Sequence, residues 1–224
     1  MARIQKVDAA NPNEAILGQA VKLLKKGEVV VCPTDTGYAF AANALDVRAI
    51  TRVFALKGRS FSNPIHIAVT SIGEAEKYAV VNEEARYLAE HYLPGGLTLV
   101  MTKKETVPSM LVAGMDTIGV RIPDNKIILE LVQQTGFPLT TTSANVSGKP
   151  GTYAVEEITE QLGDDIDDVA MILDGGKIKT REVSTIVDVS VRPPQLIRQG
   201  LVSWLEIRDG LKRFDKPEES DTGT

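Results

Sequence analysis

The sequence predicts an α/β protein, because segments with a helical spacing of apolar residues alternate with short apolar runs typical of strands. The run Val29-Val30-Val31 is continuously apolar, which is typical of a strand buried on both faces. With 224 residues, 43% of them hydrophobic, the chain can bury a full core. Because no Pro/Gly/Ser-rich linker or repeat divides it, we expect one domain over residues 1–214 and a polar, frayed tail at 215–224.

The helices are predicted from apolar residues that recur every three to four positions between start and stop signals. Asp46 and Asp124 are expected to cap helix N-termini, and Gly27 and Gly136 are expected to end helices. The run Ser203-Trp204-Leu205-Glu206 predicts a capping box for the last helix. The predicted helices span residues 13–26, 46–57, 124–135 and 152–162, with two more that begin at Asn82 and Ser203.

The strands are predicted from short runs rich in Val, Ile, Leu and Thr that lie between the helices. Pro33 is expected to end the first strand, because proline has no N–H to donate to a sheet. The predicted strands span residues 28–32, 65–69, 97–101, 117–122, 138–141, 169–173, 184–189 and 195–198.

The composition argues against several classes of protein. No run approaches 18 apolar residues and residues 1–7 lack a signal-peptide core, so we expect a cytoplasmic protein without membrane contact. The single Cys32 and two histidines make a disulfide and a structural zinc site unexpected. The net charge of −5 provides no overall positive field for nucleic acid, so any RNA contact needs a local basic patch.

Three polar segments adjoin predicted strands or helices, namely 33–36, 57–59 and 140–145. Because the ends of buried elements face solvent, these hydroxyls and cations predict a single cleft that binds an anion and an alcohol. Lys57 and Arg59 could clamp phosphate oxygens, or they could simply favour the C-terminal end of a helix dipole. The two threonine-rich segments could bind a ligand, or they could satisfy their own backbone as turns.

Arg121 stands inside an otherwise apolar strand, where a guanidinium requires an anionic partner. That partner is either a ligand carboxylate or a structural aspartate, and Arg198, near another strand end, poses the same choice. His66 is either a core histidine or a ligand contact, and Cys32 is interpreted as a small buried strand residue.

Taken in order, these segments resemble the YrdC/TsaC family of threonylcarbamoyl-AMP synthases over about residues 13–200. The motifs that carry the resemblance are Pro33-Thr34-Asp35-Thr36, Lys57-Gly58-Arg59, Asn63-Pro64, Pro94-Gly95-Gly96-Leu97-Thr98, Val120-Arg121-Ile122-Pro123, Ser143-Ala144-Asn145-Val146-Ser147-Gly148, Ser184-Thr185-Ile186 and Arg198-Gln199-Gly200.

The resemblance implies a twisted, largely parallel mixed sheet with flanking helices around a concave basic cleft. It also implies that L-threonine, bicarbonate or CO₂ and ATP give L-threonylcarbamoyl-AMP and pyrophosphate, with Mg²⁺ as cofactor. A downstream threonylcarbamoyl transferase complex would then modify the tRNA adenosine next to the anticodon. Contact with tRNA or double-stranded RNA is a further implied property.

The resemblance also assigns roles to residues. Lys57 and Arg59 would be catalytic, and Mg²⁺ would be held mainly by the ATP phosphates, with Ser143 as a candidate protein ligand. L-Threonine would be bound by Thr34, Thr36, His66, Arg121, Thr141 and Ser184. ATP would be bound by Arg59, Asn63, Thr117, Ser143, Asn145, Gly151 and Arg198.

The sequence departs from the family pattern in three places. Thr36-Gly37-Tyr38-Ala39 is similar to YciO-type paralogues, so the alternative is a paralogue that binds nucleotide or double-stranded RNA with little synthase activity. Ala68 stands where many members have a histidine, and His66 lies two residues earlier, about 6.6 Å away on the same strand face. Third, longer members of the family carry a second, C-terminal domain, whereas this chain resembles the short, single-domain form.

Overall fold

The computed structural model describes residues 2–214, so the tail predicted at 215–224 lies outside the described residues. Helices flank two mixed β-sheets. The helices are α1 (Glu14–Lys25), α2 (Val47–Leu56), α3 (Ile72–Ala75), α4 (Glu83–Tyr92), α5 (Lys126–Thr135), α6 (Val155–Leu162) and α7 (Trp204–Leu211). The strands are β1 (Arg3–Lys6), β2 (Val30–Thr34), β3 (Gly37–Ala41), β4 (Ile67–Ala68), β5 (Leu97–Thr102), β6 (Thr117–Arg121), β7 (Leu139–Thr140), β8 (Thr142–Ser143), β9 (Met171–Asp174), β10 (Thr185–Asp188) and β11 (Gln195–Arg198).

The strands divide between the two sheets in a way that the sequence pattern does not reveal. The first sheet has the order β1-β9-β2-β3-β8 and the second has the order β11-β10-β5-β6-β4-β7. In the first sheet β9 runs parallel to β1 and β2, whereas β3 is antiparallel to β2 and β8. The α/β class and the mixed character of the sheet are confirmed, but the strands form two sheets, and parallel pairs do not predominate in them.

The β2–β3 hairpin is the main feature that the sequence analysis missed, because Pro33 does not end the first strand. Pro33 lies within β2, opposite Tyr38 of β3. The Tyr38 N–H points away from β2 and donates to Thr152 O (2.9 Å), and β2 pairs with β9 only through Val30 and Val31. Proline is tolerated here because neither neighbouring strand needs its missing N–H.

The helix caps are partly as predicted. Asn13, Asp46 and Asn82 each accept a backbone N–H at the start of a helix, as side-chain caps do. The cap of α5 is Asn125 and not Asp124, since the Asn125 side chain accepts from Ile127 N (3.0 Å). The capping box at Ser203 is wrong, because Ser203 makes no side-chain cap bond.

α6 begins at Val155, three residues later than predicted. Thr152 is held outside the helix because its carbonyl accepts from Tyr38 N, and its hydroxyl donates to Ala144 O (3.1 Å).

The core lies on both faces of the first sheet. Val29 and Val31 belong to one buried cluster, which also contains Phe54 of α2, whereas Val30 and Cys32 belong to a second cluster beneath α1 and α5. Successive strand residues point to opposite faces, so burial on both sides explains the uninterrupted valine run. Burial also raises the pKa of the Cys32 thiol to about 12, as suits a core residue. No helix within residues 2–214 is long and apolar enough to cross a membrane.

Gly200 is predicted to be intolerant of any side chain, because a Cβ there would lie 2.2 Å from Val183 O and 2.6 Å from Ser184 C. Gly200→Ala should reduce the free energy of unfolding by about 1–3 kcal/mol or more, because rigid backbone atoms would have to move. Gly18→Ala is the matched control, since α1 offers open space there, and it should stabilise by about 0.5–1 kcal/mol. Equal stability of the two variants in denaturant melts would contradict this packing.

Candidate active site

A cavity of about 270 Å³, here called the main cavity, opens where the two sheets meet. The β2–β3 hairpin, the end of β6, the β7–β8 segment and the approach to β10 all contribute to its wall. Within residues 2–214, its lining includes three arginines and no carboxylate. The lining residues are Thr34, Thr36, Gly37, Tyr38, Ala39, Arg59, Pro64, His66, Arg121, Thr141, Thr142, Ser143, Val183, Ser184, Ile186 and Arg198.

A second cavity of about 320 Å³, here called the side cavity, adjoins the main cavity. Arg59 and Ser143 line both cavities, so the two share a wall. The other residues of the side cavity are Lys57, Asn63, Asn145, Ser147 and Gly148. The site therefore has two adjoining compartments, and polar side chains line both of them.

Arg121 is 5% exposed, and its partner is an aspartate of the same chain. Its Nη2 donates to Asp35 Oδ1 (3.0 Å) and Oδ2 (3.1 Å), and its Nη1 donates to Thr36 Oγ1 (2.8 Å). Its buried Nε–H has no hydrogen-bond partner among the described residues. Burial lowers the Arg121 pKa and Asp35 opposes that shift, but the guanidinium stays charged at neutral pH.

Arg198 also lines the main cavity and is held by Ser184, which directly precedes β10. Its Nε and Nη2 donate to Ser184 O (3.1 and 2.9 Å), and Nη2 also donates to Ser184 Oγ (3.1 Å). Burial and the nearby Arg121 charge lower the Arg198 pKa. Within residues 2–214 Arg198 forms no ion pair with a carboxylate, so its positive charge is available to an anionic ligand.

His66 lies in the main cavity, and its ring packs directly on Gly119. A Cβ at residue 119 would lie 2.4 Å from His66 Cδ2, so this ring position requires glycine in β6. Burial, followed by the charges of Arg198, Arg121 and Arg59, lowers the pKa of His66 to about 4, so the imidazole is neutral at pH 7. Ala68, where the family pattern has histidine, is fully buried in the second core cluster.

Lys57 is the C-terminal cap of α2, and it binds the segment from Ser143 to Asn145. Its Nζ donates to Ser143 O (2.7 Å), Asn145 O (3.1 Å) and Asn145 Oδ1 (3.1 Å), which uses all three N–H groups of an ammonium. Burial and then the Arg59 charge lower the Lys57 pKa to about 7, while the three oxygen acceptors favour the charged form. The Ser143 hydroxyl also contacts Asn145 Oδ1, so the amide ties this loop together.

The structure brings together most, but not all, of the residues predicted for the site. All six residues predicted to bind L-threonine line the main cavity. Of those predicted to bind ATP, Arg59, Ser143 and Arg198 line the main cavity, and Asn63 and Asn145 line the side cavity with Lys57.

Two residues of the predicted ATP set lie outside both cavities. Thr117 begins β6, at the opposite end of the strand from Arg121. Gly151 lines a separate surface groove with Tyr153 and Arg181. Asp35 belongs to the predicted polar segment 33–36, but its pairing with Arg121 was not predicted, although a buried arginine in an apolar strand is a signal for such a partner.

Known proteins that are similar to this chain belong to the family that its sequence motifs indicate. The family model described as Telomere recombination, for Sua5, YciO and YrdC proteins, matches residues 22–200. The chain is 39% identical to a putative threonylcarbamoyl-AMP synthase of Methanocaldococcus jannaschii over 194 residues, which are 85% of this chain and 90% of the relative. It is 38% identical to threonylcarbamoyl-AMP synthase of Pyrococcus abyssi over 189 residues, which are 84% of this chain and 55% of the relative. The chain thus spans about half the length of the Pyrococcus protein.

Two solved structures share the fold. Sua5 of P. abyssi, crystallised with L-threonine, matches with a TM-score of 0.87 at 36% identity, covering 92% of this chain and 60% of that chain. YciO of E. coli matches with a TM-score of 0.82 at 28% identity, covering 91% of this chain and 98% of that chain. The resemblance inferred from the sequence motifs is therefore confirmed, and the chain belongs to the Sua5/YciO/YrdC family.

Proposed function

We propose that this chain forms L-threonylcarbamoyl-AMP and pyrophosphate from L-threonine, bicarbonate or CO₂ and ATP. The observation that carries the proposal is the pair of adjoining cavities with a shared Arg59–Ser143 wall. One compartment offers a buried guanidinium and hydroxyls for an amino acid, and the other offers cations and amides for phosphates. The relatives named threonylcarbamoyl-AMP synthase and the Sua5 crystal with L-threonine support the same assignment.

In this proposal L-threonine occupies the main cavity. The Arg121 guanidinium suits the α-carboxylate, since charge-assisted bonds between guanidinium and carboxylate are strong and directional. The Thr36 and Ser184 hydroxyls supply further polar contacts. The neutral His66 ring adds a polar wall without adding charge.

In this proposal ATP lies against the shared wall and extends into the side cavity. Its phosphates face Arg59 and Arg198, while Asn63 and Ser143 provide neutral hydrogen-bonding groups. The threonine amine adds to CO₂ and loses a proton, and the resulting carbamate oxygen attacks the α-phosphorus as pyrophosphate leaves. The protein's part is to hold the carbamate in line with the leaving group and to stabilise the developing charge.

Mg²⁺ accompanies ATP in this proposal. No group of three or more His, Cys, Asp or Glu side chains within residues 2–214 could hold a metal ion. In this proposal the ATP phosphates would be the main ligands. The Ser143 hydroxyl is the candidate protein ligand, because its O–H donates to Asn145 Oδ1 and its oxygen lone pairs would remain free for the ion. Bound with ATP, Mg²⁺ neutralises part of the phosphate charge.

The product would serve a downstream threonylcarbamoyl transferase complex that modifies the tRNA adenosine next to the anticodon, in the cytoplasm. A second candidate is a YciO-like paralogue that binds nucleotide or double-stranded RNA with little synthase activity. The run Thr36-Gly37-Tyr38-Ala39 and the structural match to E. coli YciO favour this alternative.

Pyrophosphate release separates the two candidates. Purified protein with Mg²⁺ and ATP should release pyrophosphate only when L-threonine and bicarbonate are both present, because the carbamate is the nucleophile. Release is measured with a coupled pyrophosphatase assay, and mass spectrometry identifies the adenylate. Nucleotide binding without any threonine-dependent release would favour the YciO-like alternative.

Arg59→Ala is expected to weaken ATP binding roughly tenfold to a hundredfold, because a charged hydrogen bond contributes about 1.5–3 kcal/mol. Ser143→Ala should weaken it by about three- to tenfold through the loss of a neutral hydroxyl. Arg48→Ala is the matched control, because its side chain is 86% exposed and lies outside both cavities. Calorimetric titration with a non-hydrolysable ATP analogue measures all three, and wild-type affinity in Arg59→Ala would overturn the site map.

His66 is predicted to act as a neutral group throughout the range above its pKa of about 4. Its ordinary value is about 6.5, so an unperturbed imidazole would gain charge as the pH falls below 6.5, and this one should not. The affinity for L-threonine should therefore stay constant between about pH 5 and 6.5. A clear change centred near pH 6.5 that disappears in His66→Gln would show that the ring titrates normally.

A further inference from the structure

Thr98 is fully buried in β5. Its hydroxyl contacts a residue that lines the main cavity, but Thr98 does not line the cavity itself. Thr98 Oγ1 lies 2.8 Å from Ser184 Oγ, which does line the main cavity. The contact arises from strand register, because β5 runs parallel to β10 with Thr98 opposite Ile186, two residues after Ser184. Gly96 O also accepts from Thr185 N (2.9 Å), so the start of β5 holds the start of β10 in place.

The direction of the Thr98–Ser184 hydrogen bond follows from counting donors. Among residues 2–214, Ser184 Oγ is the only hydrogen-bond partner of the Thr98 hydroxyl. If Ser184 donated to Thr98, the Thr98 O–H would be buried without an acceptor, which is unfavourable. Thr98 is therefore the donor and Ser184 Oγ the acceptor.

Ser184 Oγ accepts a second hydrogen bond from Arg198 Nη2 at 3.1 Å. A hydroxyl oxygen has two lone pairs, so both are occupied by these two donors. The remaining Ser184 O–H must point elsewhere, and the main cavity is the space that Ser184 faces. Ser184 is thereby held as a hydrogen-bond donor toward a bound molecule.

We propose that Thr98 is a positioning residue that fixes the Ser184 hydroxyl as a donor to an oxygen atom of the substrate. The inference rests on the proposed function for the identity of that substrate, L-threonine. Thr98 does not touch the substrate, so its effect reaches binding only through Ser184. The pair also selects for ligands with an acceptor oxygen at this point of the cavity.

Thr98→Val tests the role of the hydroxyl, because valine keeps the branched shape and removes the donor. The Kd for L-threonine, measured by titration calorimetry, should rise about three- to tenfold with the loss of one oriented hydrogen bond. The Kd for a non-hydrolysable ATP analogue should change less than about twofold. Thr98→Ser should restore wild-type threonine affinity because it keeps the hydroxyl.

A double-mutant cycle separates positioning from general packing. In a Ser184→Ala background, Thr98→Val should cause no further loss of threonine affinity, since no hydroxyl remains to be positioned. Thermal melts accompany each variant, and Thr98→Ala replaces Thr98→Val in the cycle if the valine variant does not fold.

The outcomes are distinguishable. If the wild type binds L-threonine and Thr98→Val binds it equally well, the positioning role is overturned while the proposed function stands. Equal losses in the presence and absence of the Ser184 hydroxyl would also overturn it, since they indicate a packing effect. If the wild type binds no L-threonine, the proposed function and this inference both fall.

Discussion

The buried ion pair between Arg121 and Asp35 is the interaction on which the site depends. Arg121 ends β6 of the second sheet, and Asp35 lies at the turn of the β2–β3 hairpin of the first sheet. A guanidinium buried to this extent costs several kcal/mol unless an anion offsets its charge. The pair therefore ties the two sheets together at the point where the main cavity opens, and it holds the guanidinium there before any ligand binds.

Arg198 and Lys57 are held by neutral oxygen atoms, so no carboxylate of the described residues offsets their charge. Arg198 is fixed by the carbonyl and hydroxyl of Ser184, and Lys57 is fixed by oxygens of Ser143 and Asn145. A chain with a net charge of −5 thus concentrates positive charge at one place. Groups fixed in advance stabilise anionic substrates without reorganising during a reaction, which is how polar sites favour phosphoryl and nucleotidyl transfer. Burial lowers the pKa values of Arg59, Arg121 and Arg198, and the Arg121 charge lowers the pKa of Arg198 further.

Much of the fold was predictable because helix signals are local. Asn13, Asp46 and Asn82 cap helices as their sequence context indicates, and Gly136 ends one in the left-handed conformation. The partition into two sheets was not predictable, because strand pairing joins residues far apart in the chain. Pro33 shows the limit of a local rule, since it lies in a strand whose neighbours happen not to need its N–H.

The same distinction applies to the site. The three polar segments were predicted to converge, and Arg59 and Ser143 do share a wall. The partner of Arg121 was left open, because either a ligand or the chain could supply the anion. The central claim is that this guanidinium, held by Asp35, recognises a substrate carboxylate. Titration calorimetry with L-threonine and with L-threoninol, which lacks that carboxylate, tests it most directly. We expect L-threonine to bind at least about tenfold more tightly, and equal affinity for the two compounds would contradict the assignment.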